Sequence, residues 1–327
     1  MSASGEWAPA TSEAAPPVAP APMAALERRR WLLHALLFVA TLATTTVAGA
    51  LNADVPLSEL REGWMKGLPF SLSLMGILFC HEMGHYGFAR HHGVRATLPF
   101  FLPAPPIPFL IGTFGAFIRL RSLPRDRRAL FDVGAAGPWA GFLVALPVAW
   151  IGLALSEVRP LPSSFGGLYF GDSLLFKGLT WLVIGPIPYG FDIFLHPVAL
   201  AGWFGLFVTG LNLLPIGQLD GGHVVYALFG RRHRWIARGF LLGLLALGFV
   251  GWAGWFVWAV LVTFAGLDHP PTSDRETGLD PARVGMAWAT LALFLATLVP
   301  VPIVSFEGGG GPEAEDLVPA SYAAPER

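Results

Sequence analysis

The sequence has 327 residues, of which 54% are hydrophobic and only 13% are charged, whereas soluble domains carry about 25% charged residues. Apolar stretches long enough to cross a hydrocarbon core of roughly 30 Å recur along it, so we expect a multi-pass membrane protein. The formal net charge of −1 argues against a nucleic-acid partner, and the single cysteine, Cys80, excludes an intramolecular disulfide and a cysteine-rich metal cluster.

The two ends of the chain are predicted to be disordered tails. Residues 1–27 are rich in Ala and Pro and lack the basic-then-hydrophobic order of a signal peptide. Residues 307–327 contain four consecutive glycines and several acids. Residues 28–306 are therefore expected to form one membrane-embedded domain.

The first predicted spans are residues 31–51 and 67–89. Span 31–51 follows Arg28, Arg29 and Arg30, which the positive-inside rule holds in the cytoplasm, so the N-terminus is predicted to be cytoplasmic. The loop after it shows no basic excess, and the second span returns toward Arg90 and Arg95.

Residues 97–118 are apolar but contain Pro99, Pro103, Pro105, Pro106 and Pro108, which exclude a regular helix. Non-helical backbone at membrane depth is tolerated only where protein or a water-filled cavity satisfies its polar groups. We therefore expect a re-entrant hairpin or loop here, with an extended edge that could pair with another chain.

Further spans are predicted at residues 129–155, 197–219 and 283–304, and residues 235–266 could form one long helix or two short ones. The total is six or seven spans. The predicted fold class is all-α, a polytopic transmembrane helix bundle with the proline-rich hairpin or loop inserted in it.

The second span contains the motif HEMGH, in which His81 and His85 are four residues apart and Glu82 follows the first histidine. On a helix this spacing puts both imidazoles on one face, where they could chelate zinc with the glutamate beside a water molecule. The alternative is that these are incidental polar residues in a buried helix. Ionisable groups at the bilayer centre are costly, which favours a functional explanation.

A catalytic zinc usually has three protein ligands, so one ligand is missing. Asp220 stands out in a Pro- and Gly-rich run at 212–223, although such a run is also typical of an ordinary helix end. His223 lies three residues further on and could share a helix face with Asp220, so spacing alone does not choose between them.

The motifs together strongly resemble the site-2 protease family of intramembrane zinc metalloproteases. HEMGH matches the zinc-binding motif of that family, and its N-x-x-P and D-G elements fall on Asn212, Pro215 and Asp220. The resemblance implies that one Zn²⁺ is bound by His81, His85 and Asp220. It also implies that Glu82 is catalytic, and Asn212 is expected to donate a hydrogen bond to the reacting group.

The similar part covers about residues 67–230. The stretches at 112–122 and 129–142 are similar to the plastid and bacterial branch that lacks a PDZ domain, and no PDZ domain fits this sequence. The sequence has no G-x-S-x-G around a serine and no G-x-G-D, which argues against serine and aspartyl intramembrane proteases.

We therefore interpret the chain as an intramembrane zinc metalloprotease that acts on transmembrane protein substrates in a lipid bilayer. The predicted location is the plasma membrane if the source is bacterial. Two alternatives remain at this point: a non-catalytic zinc carrier or scaffold with the same ligands, and a membrane protease that trims prenylated peptides. The NLLPIGQLDGGH run makes the second alternative less favoured.

Overall fold

The structure is a computed structural model that describes residues 23–107, 110–160, 167–274 and 277–306. Most of both predicted tails lies outside these ranges. Residues 23–27, which the sequence assigned to the N-terminal tail, belong to the first helix, α1 (Met23–Asn52). The apolar run that follows Arg30 thus continues a helix that begins upstream of the three arginines.

Three helices in the first half of the chain are long and apolar enough to cross a membrane. They are α1, α3 (Leu68–His91) and α4 (Arg127–Ala154), and they follow three of the predicted spans closely. A very short helix, α2 (Leu60–Gly63), lies between the first two. Asp126 caps α4 by accepting a hydrogen bond of 2.9 Å from the backbone N–H of Ala129, which explains why this helix begins where it does.

A fourth candidate span covers 220–250 and consists of α7 (Asp220–Phe229) and α8 (His233–Val250). Gly230 has φ 56° and ψ −127° between them, so the two helices do not form one continuous α-helix. The remaining helices are shorter: α5 (Leu174–Val183), α6 (Pro197–Asn212), α9 (Gly254–Ala265) and α10 (Pro281–Thr297).

The predicted number of spans is therefore only partly supported. The described residues are mostly helical and include four stretches of spanning length and composition. Predicted span 197–219 is helical only to Asn212, and predicted span 283–304 only to Thr297. Residues 235–266 form two helices, α8 and α9, because the chain leaves the helical conformation at Gly251, whose ψ is −95°.

Short antiparallel sheets accompany the helices, whereas the all-α prediction included only a hairpin or loop in the proline-rich segment. β1 (Phe100–Pro103) pairs with β2 (Thr113–Phe117). Two further pairs are β3 (Glu157–Pro160) with β5 (Phe191–Phe194), and β4 (Gly167–Phe170) with β6 (Ile303–Phe306). The proline-rich segment is thus a β-hairpin, one of the two forms that its prolines predicted.

Helix α1 holds the β1–β2 hairpin at three places. The hydroxyl of Thr44 donates to the carbonyl of Gly112 at 2.7 Å, and the Asn52 amide donates to Leu110 at 2.9 Å. His34 donates from Nδ1 to the Pro99 carbonyl at 3.0 Å. At Gly112, where φ is 72°, a Cβ atom would lie 2.4 Å from the Thr44 carbonyl, so only glycine fits this contact.

Helices α3, α4 and α6 form the centre of the molecule and pack with their backbones close together. A Cβ atom at Gly202 of α6 would lie 2.6 Å from Cα of Ala149 in α4. A Cβ atom at Gly84 of α3 would lie 2.5 Å from the carbonyl of Ala136 in α4. Small residues permit this close approach, as is common between membrane helices, and it brings the polar residues of α3 against α4.

Candidate metal centre

His81 and His85 lie on the face of α3 that is buried against α4 and α6, with only 4% and 7% of their surfaces exposed. One helical turn separates them, as the motif predicted, and their Nε2 atoms are 3.1 Å apart. The Nδ1–H of His85 donates to the Val133 carbonyl of α4 at 2.7 Å. That bond leaves the Nε2 lone pair of His85 free to bind a metal.

Asp220 is the first residue of α7, and its carboxylate meets the two imidazoles. Its Oδ2 atom lies 3.2 Å from Nε2 of His81 and 3.3 Å from Nε2 of His85. The irregular segment 213–219 delivers it there. Gly217 has φ 56°, and a Cβ atom on it would lie 2.1 Å from the carbonyl of Gly266. A glycine is therefore required for this path of the chain.

The donor atoms of His81, His85 and Asp220 fit a tetrahedral zinc ion. Zn–N and Zn–O bonds of about 2.0–2.1 Å place tetrahedral ligand atoms about 3.3 Å apart. The three separations in this cluster are 3.1, 3.2 and 3.3 Å. Two neutral imidazoles and one carboxylate also form a donor set that zinc prefers over magnesium or calcium.

His223, the competing candidate for the third ligand, has another partner. Its Nδ1 atom lies 2.7 Å from Nε2 of His269. Its Cβ atom packs against α4, where a Cβ atom at Gly134 would lie 2.6 Å away. Of the two candidates in this run, it is Asp220 that lies within hydrogen-bond distance of His81 and His85.

Glu82 and Asn212 complete the polar cluster. Glu82 is 5% exposed and follows His81 in α3, and the backbone of Ile118, directly after β2, lies beside its carboxylate. Asn212 ends α6, and its Nδ2 lies 3.3 Å from Nε2 of His81. The structure thus brings all five predicted site residues into one place, from α3, α6 and α7.

Two glycines of α4 make room for the imidazoles, although neither was predicted to belong to the site. A Cβ atom at Gly137 would lie 2.0 Å from Nε2 of His85, and one at Gly141 would lie 3.1 Å from Nδ1 of His81. The repeated small residues of the run GAAGPWAG are the signal that could have indicated this contact.

An ion-pair network lies next to Val133, the residue whose carbonyl holds His85. Asp132 accepts from Nε and Nη2 of Arg283 at 2.8 and 2.6 Å, and from Nε2 of His92 at 2.8 Å. His92 therefore links the end of α3 to α4, while its neighbour His91 is exposed. The network joins the C-terminal end of α3 to the N-terminal parts of α4 and α10.

The sequence model of Peptidase family M50 matches residues 69–250, which include all five residues of the cluster. The chain belongs to this family. The resemblance predicted from HEMGH and the D-G element is thereby confirmed.

Curated relatives include two proteins of Arabidopsis thaliana that are named probable zinc metalloproteases and chloroplastic. EGY2 is 33% identical over 238 residues, which cover 72% of this chain and 42% of that protein. EGY1 is 34% identical over 171 residues, 50% of this chain and 30% of that protein. EGY2 of Oryza sativa subsp. indica is 28% identical over 75% of this chain and 44% of its own length. The chain spans less than half the length of these relatives.

Proposed function

We propose that this chain is a zinc metalloprotease that hydrolyses peptide bonds in or near the transmembrane segments of other proteins. One Zn²⁺ would be held by Nε2 of His81, Nε2 of His85 and Oδ2 of Asp220. The observation that carries the proposal is the convergence of these three atoms at 3.1–3.3 Å, with Glu82 next to His81 in the helix. Membership of a peptidase family and the names of the relatives support it.

In this proposal Glu82 is the general acid–base. A bound zinc ion polarises the scissile carbonyl and makes water a stronger nucleophile at neutral pH. The Glu82 carboxylate accepts a proton from the attacking water and then delivers a proton to the leaving amine. The Asn212 amide, 3.3 Å from the ligand atom of His81, is placed to donate a hydrogen bond to the oxygen that gains negative charge.

The location of the cluster supports a substrate in the membrane. His81, Glu82 and His85 are buried in α3, within a candidate span. A helical substrate hides its peptide bonds in its own hydrogen bonds, so it must unwind before it is cleaved. Among the described strands β2 pairs only with β1, and it ends beside Glu82. Its other edge would hold an unwound substrate as an added strand.

The same proposal includes the topology. With its N-terminus in the cytoplasm and six or seven crossings, the chain would place the clusters Arg28–Arg30, Arg125–Arg128 and Arg231–Arg238 on the inner side, as the positive-inside rule requires. Shorter helices such as α6 and α10 would then cross only part of the bilayer as helix. In a bacterial cell the membrane would be the plasma membrane.

The variant Glu82→Gln tests the function. We expect it to retain about one zinc per chain, because the carboxylate does not bind the metal. Its cleavage rate on single-span substrates should be about 10²- to 10⁴-fold lower, because the carboxylate acts on the attacking water. The matched control is Glu62→Gln, which changes an exposed glutamate of α2 and should leave both quantities unchanged.

Zinc content by mass spectrometry and cleavage of reconstituted substrates give the two readouts. Full activity of Glu82→Gln would refute the mechanism. A wild-type protein that moves zinc across vesicles but cleaves none of a panel of single-span substrates would instead identify the non-catalytic carrier.

A further inference from the structure

A cavity of about 660 Å³ lies apart from the metal centre. It opens where the start of α4, the end of α7, the start of α8 and the segment after α9 meet. The predicted zinc ligands are not among its lining residues. Its wall carries three arginines, Arg127, Arg231 and Arg234, one acid, Asp268, and His233.

The charges of this cavity favour an anion. Its one acid is already paired, because Oδ1 of Asp268 accepts from Nη1 of Arg238 at 3.3 Å. In the part of the chain that the structure describes, neither Arg231 nor Arg234 forms an ion pair. Positive charge is therefore in excess, which disfavours a metal cation and favours a negatively charged ligand.

A buried histidine supplies a second, independent observation. His233 is only 1% exposed, and its Nε2 atom has no hydrogen-bond partner among the described residues. A buried polar atom without a partner costs free energy, and native proteins seldom leave one unsatisfied without a reason. His233 lines the cavity, so a small rotation of its ring, whose Nε2 has almost no accessible surface, would let a ligand oxygen complete its hydrogen bonding.

The neighbouring histidine is not available for this purpose. The Nδ1–H of His269 donates to the Pro270 carbonyl at 2.6 Å, so its Nε2 is the acceptor for the Nδ1–H of His223 at 2.7 Å. Burial lowers the pKa of His269 to about 3, so it stays neutral at physiological pH. Its ring stacks on Tyr226 with centroids 4.4 Å apart, which gives the cavity an aromatic wall.

We propose that this cavity is a binding site for a phosphate group. Arg231 and Arg234 supply the guanidinium donors, and the Nε2–H of His233 supplies a neutral one. The phosphate could belong to an anionic lipid headgroup or to a soluble phosphate compound. Trp235, the residue after Arg234, and Leu242, two turns further along α8, are exposed, so an acyl chain attached to the phosphate and extending along α8 would meet an apolar surface. The proposal is independent of the protease function.

The test is calorimetric titration of the full chain, purified in a neutral detergent, with short-chain phosphatidic acid, inorganic phosphate and short-chain phosphatidylcholine. Saturable binding of phosphatidic acid is expected, with none of phosphatidylcholine. The double variant Arg231→Gln/Arg234→Gln should weaken binding about a hundredfold, as expected for two lost charge-assisted hydrogen bonds. The control Arg232→Gln removes an exposed arginine that does not line the cavity and should change affinity no more than about fivefold.

A further variant, His233→Phe, keeps a ring in place and removes Nε2. It should weaken binding while the thermal midpoint of the protein stays at or above that of the wild type, since an unsatisfied polar atom is removed. If inorganic phosphate displaces phosphatidic acid at an equal concentration, the site binds a soluble phosphate compound. If it does not displace the lipid, the site binds a lipid headgroup. Equal losses in the double variant and in Arg232→Gln, or no binding of either phosphate probe, would overturn the proposal.

Discussion

Replacing Gly137 by alanine is expected to destroy the metal centre although it should favour the helix. The new Cβ atom would lie 2.0 Å from Nε2 of His85, whereas ordinary van der Waals contact begins at 3.4 Å. The His85 ring would have to move by about 1.4 Å to relieve the overlap. Metal–ligand distances tolerate only about 0.2 Å, so His85 would no longer serve as a ligand at its present position.

The alternative escape is a shift of α4 away from α3, but the packing opposes it. Gly84 of α3 already has no room for a Cβ atom against the Ala136 carbonyl of α4, and close-packed interiors resist such movements. We therefore expect zinc affinity to fall at least about a hundredfold, the upper end of the effect of losing a residue that orients a ligand. Proteolysis should fall with it.

Zinc stoichiometry, zinc affinity and cleavage rate should be measured on Gly137→Ala and on Gly76→Ala. Gly76 lies in α3, and a Cβ atom there would meet nothing within 4 Å. Alanine at that position should therefore bring only the helix-propensity gain of about 0.5–1 kcal/mol. Normal zinc affinity in folded Gly137→Ala would refute the argument that this glycine makes room for His85.

Three further predictions concern the ligand, the substrate and the partly buried acid Asp172. Asp220→Ala should lose zinc and His223→Ala should retain it, and loss of metal only in the His223 variant would show that the ligand assignment is wrong. In a Cys80→Ala/Glu82→Gln background, a cysteine at Phe117 of β2 should crosslink to a substrate cysteine near the scissile bond. A cysteine at Phe88 is the control, because Phe88 is 47% exposed and Phe117 is 45% exposed. It should not crosslink to the substrate, and equal crosslinking at both positions would contradict strand addition. Burial raises the pKa of Asp172 to about 6, so this carboxyl favours the folded state when protonated, and that contribution is lost as pH rises from about 4 to 6. The thermal midpoint of Asp172→Asn relative to that of the wild type should therefore rise over this pH interval. A difference between the two midpoints that does not depend on pH would contradict the raised pKa of Asp172.

The local motifs could be predicted from sequence because their chemistry is local. His81 and His85 are one turn apart on a helix, and the Pro- and Gly-rich run before Asp220 favours the irregular backbone that the structure has at 213–219. The glycines after Asp220, in contrast, belong to helix α7. The proline-rich segment could be recognised as non-helical for the same reason. In each case the decisive physical property belongs to a few consecutive residues.

The features that were missed depend on contacts between distant parts of the chain. Asp132 and Arg283 are 151 residues apart, and neither motif nor periodicity links them. The role of Gly137 becomes apparent only when α4 is placed against His85. The predicted span 197–219 was too long because hydropathy does not register the helix end after Asn212, where segment 213–219 turns to bring Asp220 to the histidines.

The hydrogen bonds that fasten the β1–β2 hairpin to α1 have a consequence for selectivity. A β1–β2 hairpin that is held by His34, Thr44 and Asn52 has little freedom to change its conformation for different substrates. Cleavage would then depend on how readily the substrate helix itself unwinds at the cleavage site. Each helical residue that is unwound gives up its backbone hydrogen bond, while glycine costs about 1 kcal/mol less to unwind than alanine. Such an enzyme would select substrates mainly by how readily their helices unwind, and only weakly by the identity of the side chains at the cleavage site.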